Sequence, residues 1–316
     1  MISKKRLTHF AGFGLASVTF IYFGRNFAHY WRESSHALLE PSALVAGLSA
    51  IALGAVGYFL SARSWIGICR YLGLHIEART ALNIYFVSQF GKYLPGNVAQ
   101  HAGRLAMGVQ RKLPGATLAI SQITEILLVM AALGSIALIT GWRYIVEMHV
   151  LESVRPSFVL VGSVFLLSAF VLVAFLAKRT GRSHVLTQFL QRLTSRRDLD
   201  SLLYSFILIV GNAFTAALAL FVIAEAIDSL HDQSFWIICA VYTVSWLAGF
   251  VTPGAPAGLG IREAIMLALL SRTMAAPEAG AVTLLFRLAT TLTDLLVFLL
   301  GLSLSRGVQR NAHAKG

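Results

Sequence analysis

Apolar residues fill this chain in long blocks, and short polar stretches separate them. A helix needs about 20 mostly apolar residues to cross the hydrocarbon of a bilayer. On that measure residues 7–23, 41–62, 114–142, 157–177, 202–227 and 281–305 read as spans. The first is short and crosses with tilt. Residues 63–80 mix Arg63, Arg70 and Arg79 with Trp65, Ile66, Ile68, Tyr71 and Leu72. That alternation predicts an amphipathic helix lying in the interface. Residues 81–94 are apolar but too short to span, which predicts a half-helix. Residues 97–109 are its returning arm. Residues 235–251 are apolar up to a second break, and the helix at 264–275 is again too short to cross.

The two breaks carry the strongest local signal. Both hold a Pro-Gly pair, Pro95-Gly96 and Pro253-Gly254, and the second adds Gly258 and Gly260. Proline and glycine interrupt helices. Broken backbone at membrane depth survives only where protein buries it or water reaches it. A basic residue follows nine positions after each proline, Arg104 and Arg262. Two such breaks predict a transporter-like site between them.

Topology follows from the placement of lysine and arginine. With Lys4-Lys5-Arg6 in the cytoplasm and the first broken segment re-entrant, the basic loop 178–201 also falls inside; with the second re-entrant too, the chain's end returns inside. The loop 228–234, free of Lys and Arg, then falls outside. Both termini are expected in the cytoplasm. Each half then reads span, span, broken hairpin, span. The halves, 1–142 and 157–305, have opposite orientation. The expected fold is an all-α polytopic membrane protein of two inverted repeats, each with three spans and one broken re-entrant helical hairpin.

Composition agrees with this. The 316 residues are 57% hydrophobic and 13% charged, with a mean hydropathy of +0.72. A soluble domain carries about 25% charge. The net charge of +12 reads as cytoplasmic loops rather than as a nucleic-acid surface. Cys69 and Cys239 make no disulfide framework, and the histidines have no metal-ligand spacing. No cofactor or metal is expected, and a homo-oligomer is compatible with the sequence. A bacterial inner membrane suits the basic loops.

Charges inside spans are costly, so they pair or face water or substrate. Glu125, Arg287 and Asp294 are such residues, the last two seven apart on one helix face. They are expected to line one central cavity. The alternative is a structural Glu125–Arg287 pair. Arg104 and Arg262 follow glycine-rich breaks beside helix N-termini, where anions are favoured. Lys92 and His101 strengthen the first of these positions. Arg262 has a plainer alternative, a bond to Glu263 or to a carbonyl that only holds the loop.

These motifs resemble the flippase-like transmembrane region of lysylphosphatidylglycerol synthases, including its stand-alone members. The first is Phe90-Gly91-Lys92-Tyr93-Leu94-Pro95-Gly96, and the second runs from Pro253 to Arg262-Glu263. Glu125 matches an acidic position of the family. Two departures stand out: Ala255-Pro256-Ala257 interrupts the usual glycine run, and Ile126 replaces an arginine. With the sequence ending at Gly316, the aminoacyl-transfer domain of the two-domain enzymes is not expected. The resemblance therefore implies lipid translocation rather than synthesis. The expected function is a flippase or scramblase for an anionic or polyprenyl-phosphate-linked lipid. No P-loop motif supplies ATP as a drive. A secondary transporter of a small soluble anion is the alternative, followed by a membrane-embedded lipid-modifying enzyme.

Overall fold

The computed structural model describes residues 38–93, 99–147, 196–228, 235–252 and 258–313. The expected spans 7–23 and 157–177, and Pro95, Gly96, Pro253 and Gly254, lie outside those residues. The described residues build eight α-helices. They are α1 (Pro41–Tyr71), α2 (Ala78–Gln89), α3 (Ala99–Gln110), α4 (Gly115–Glu147), α5 (Arg196–Ile227), α6 (Phe235–Val251), α7 (Ile261–Leu270) and α8 (Ala276–His313). A 3-10 turn, Phe90–Tyr93, extends α2. Four helices are long and apolar enough to cross a bilayer: α1, α4, α5 and α8. They coincide with the four expected spans that fall within the described residues. The chain is thus an α-helical, multi-pass membrane protein.

The expected interfacial helix at 63–80 is corrected. Residues 63–71 continue α1 without a break. Arg63 and Arg70 are exposed, but Trp65, Ile66, Ile68, Cys69 and Tyr71 are buried between helices. The apolar face that suggested a membrane surface is covered by protein. Pro41 starts α1, where its missing N–H costs nothing. Gly73, with φ of 77°, stops it. The Gly73 amide donates to Arg70 O and the Leu74 amide to Cys69 O, a Schellman closure.

Packing fixes the neighbours. The most extensive contact is α1 against α5. Next come α2 against α8 and α4 against α6, followed by α1 against α8. The α1–α5 seam is close. Ser64 Oγ donates to Ser205 O, and Ser205 Oγ donates back to Ser64 O. One apolar core joins α4, α5, α6, α7 and α8 to the first half of α1. A second joins the end of α1 to α2, Leu118 of α4 and Val297 of α8. Large apolar side chains remain exposed along α1 (Leu44, Val45, Leu48) and α8 (Leu288, Leu292, Leu299). On a membrane protein such stripes face lipid.

The two long helices α4 and α8 begin at opposite ends of α1. Trp65, near the end of α1, donates from Nε1 to Ser121 Oγ, near the start of α4, at 3.1 Å. Gly47, near the start of α1, lies against Leu285, near the start of α8.

Candidate functional site

Among the described residues, those flanking the two breaks and those of the long helices line a cavity of about 270 Å³. Lys92, His101, Arg104, Glu125, Arg262, Glu263, Arg287 and Asp294 all line it. Every charged residue expected at the site therefore comes to one place, and so does His101. Gly258 and Gly260 lie at the start of α7 with φ of 67° and 85°, the left-handed region that glycine tolerates.

The charges form three pairs. Arg104 on α3 bonds Glu125 on α4 through Nη1. Its guanidinium also stacks over Tyr85 at 4.1 Å and over Trp65 at 5.1 Å. Tyr85 donates to the other oxygen of Glu125 at 2.9 Å. Lys92 at the end of the 3-10 turn pairs with Asp294 on α8 at 2.7 Å. Tyr58 and Tyr93 also donate to Asp294, one to each oxygen. Arg287 on α8 pairs with Glu263 on α7 at 3.2 Å. The other oxygen of Glu263 accepts the Gly260 amide at 2.6 Å and so caps the N-terminus of α7.

The two alternative pairings do not form. Glu125 and Arg287 share the cavity, but each has a different partner. Arg262 does not pair with its neighbour Glu263, whose oxygens serve Arg287 and Gly260. The short helix of each half pairs with the long helix after it, with opposite polarity. In α3–α4 the short helix gives the arginine, and in α7–α8 it gives the glutamate. Arg104 is fully buried against a carboxylate, so an incoming anion there competes with Glu125. His101 is held between Gln100 and Gln122 at 3.1 and 3.0 Å.

Arg262 is the exception. Among the described residues no carboxylate pairs with it, and its Nε is buried without a hydrogen bond. It lies over the Trp246 ring at 4.9 Å. It also crosses Gly249, which has no side chain to block it. Ser245, one turn before Gly249 on α6, lines the same cavity. Its hydroxyl is fully buried and likewise has no partner.

Several contributors were missed in the sequence: Tyr58, Tyr85, Tyr93, Ser245, Trp246 and Gly249. A signal existed for the tyrosines and the tryptophan. Each sits in or beside an apolar run and carries a polar group that needs a partner when buried. For Ser245 and Gly249 the sequence offers nothing, because small residues are common where helices pack.

A search of curated proteins finds none that matches this chain. The family described as the lysylphosphatidylglycerol synthase TM region matches residues 10–298, well over half of the chain, and this protein belongs to that family.

Proposed function

We propose that the protein carries phosphate-bearing lipid head groups between the leaflets of a bacterial inner membrane, with both termini in the cytoplasm. The head group passes through the charged cavity while the tails stay in the bilayer. No bond of the lipid is broken in this reading. The carrying observation is the cavity itself: seven charged side chains meet among membrane-crossing helices, around one arginine without a carboxylate. Charge at membrane depth is costly and marks substrate paths. The cavity volume of about 270 Å³ lies just below the roughly 300–1,000 Å³ range of drug-sized ligand sites. That suits a head group without its tails.

The carrier is read as two inverted repeats, each with a re-entrant broken hairpin. Support comes from the helix contacts. Exchanging α1 with α5, α2 with α6, α3 with α7 and α4 with α8 maps the main packing pairs onto one another. Thus α2–α8 becomes α6–α4, and α1–α8 becomes α5–α4, while α1–α5 maps to itself. Inverted repeats with the site between them and broken helices at the site are an established carrier design.

The test uses proteoliposomes with fluorescent head-group lipids and a membrane-impermeant quencher. The expected result is quenching of inner-leaflet lipid faster than in protein-free vesicles, and slower again with Arg262→Ala. Uptake of labelled soluble phosphate with no lipid movement makes the protein an anion transporter instead. A chemically altered lipid makes it an enzyme.

A further inference from the structure

The charges around the cavity can be counted. Lys92, Arg104, Arg262 and Arg287 are cationic, and Glu125, Glu263 and Asp294 are anionic. His101, held between two glutamines, is counted as neutral. Four minus three leaves one positive charge among the described residues. Residues 94–98 and 253–257 of the two breaks add none, since all are uncharged.

The surplus has an address. Lys92, Arg104 and Arg287 each hold a carboxylate, so an anion there must displace it. Arg262 holds none. Its Nε and the Ser245 hydroxyl are buried donors without partners, and both residues line the cavity. Two orphaned donors and one uncompensated cation ask for an oxyanion with more than one acceptor oxygen. An arginine fork matches phosphate oxygens in that way.

We propose that Arg262 and Ser245 seat a phosphodiester of one net negative charge, and that the cavity selects lipids by that charge. This deepens the head-group translocation reading and rests on it. A phosphomonoester carries about −1.5 to −2 at neutral pH and leaves negative charge uncompensated at membrane depth. A zwitterionic head group leaves the cavity positive. A cationic one adds to the surplus. Only the singly charged phosphodiester neutralises the surplus of the described side chains.

The proteoliposome assay tests this with a panel of fluorescent lipids that share tails: phosphatidylglycerol, phosphatidic acid, phosphatidylethanolamine and a lysyl ester of phosphatidylglycerol. A soluble glycerophosphodiester loaded outside the same vesicles tests a non-lipid source. The expected result is movement of phosphatidylglycerol about tenfold or more faster than the other three. Arg262→Gln brings the cavity to zero and shifts preference to phosphatidylethanolamine. Arg262→Lys keeps the sign and the preference while losing rate. Equal movement of all four lipids, or preference for any other, overturns the charge selection and leaves lipid translocation standing. Movement of none, or uptake of the soluble diester alone, overturns both. The wild-type panel decides the matter even if a variant folds poorly.

Discussion

Glu125 accepts from Arg104 and from Tyr85, and its side chain is 9% exposed against 1% for Arg104. Removing one member of so buried a pair leaves the other charged in a low dielectric. Such losses are about 3–5 kcal/mol, whereas replacing both members with apolar residues of similar size is near neutral or stabilising. Arg104→Met or Glu125→Leu alone should therefore lower the unfolding temperature in detergent markedly. The double variant should recover most of it. Additive losses would mean that the two side chains do not act as a pair. The charges themselves were legible in the sequence, because Glu125, Arg287 and Asp294 interrupt apolar runs. Their partners were not. Equal depth made Glu125 and Arg287 look like mates, yet each bonds the short helix just before its own. That choice depends on how α3 and α7 pack, which no spacing within one helix reveals. Arg262 shows the same limit from the other side. Its neighbour Glu263 looked available, but capping α7 and holding Arg287 already occupy both of its oxygens.

Among the elements, the short helices are held by backbone devices as much as by packing. α3 ends in a Schellman closure, with the Lys112 amide donating to Val109 O and the Leu113 amide to Gly108 O. That closure puts Lys112 at φ of 63°, a conformation that costs a non-glycine residue about 1–2 kcal/mol. Lys112 is exposed and its side chain makes no ion pair among the described residues. Lys112→Gly should therefore raise stability by about 1 kcal/mol, read as a higher unfolding temperature. A lower temperature would show that the lysine side chain matters more than the backbone. Opposite strain arises at Gly301 on α8. Asn83 of α2 donates to its carbonyl at 2.6 Å and also meets Arg111. A Cβ at Gly301 would sit 2.9 Å from Phe86 Cβ and 3.1 Å from the Val87 amide. Gly301→Val should thus separate α2 from α8 at a cost of about 1–3 kcal/mol, while Gly103→Ala, whose Cβ would meet its nearest atom at 4.0 Å, should be accommodated and stabilise α3 by about 0.5–1 kcal/mol. Helix existence was legible at this scale, since apolar length and the Pro-Gly breaks mark it. The end of α1 was not, because Arg63 and Arg70 imitate an interface while the opposite face of the same turns is buried by protein.

For the molecule as a whole, the arrangement of the halves yields a measurable difference in sidedness. α1 has 31 residues and is about 46 Å long, which exceeds the roughly 30 Å hydrocarbon thickness. Its two ends therefore lie near opposite faces of the membrane. The start of α4 sits by the end of α1, through Trp65 and Ser121, and the start of α8 sits by the beginning of α1, through Gly47 and Leu285. The links that precede α4 and α8 are then expected to emerge on opposite sides, as the proposed inverted repeats require. Gln110 ends α3 and Ser271 follows α7, and both are exposed. In a background with Cys69→Ala and Cys239→Ala, whose native thiols are free and buried, each position can carry a single reporter cysteine. With oriented membrane vesicles, an impermeant maleimide should label Gln110→Cys only from the cytoplasmic face. It should label Ser271→Cys only from the outer face. Labelling of both from one side would break the inverted arrangement and leave the charged cavity to be explained without it. The two orientations swapped would keep the repeats and reverse the membrane sidedness drawn from the basic loops.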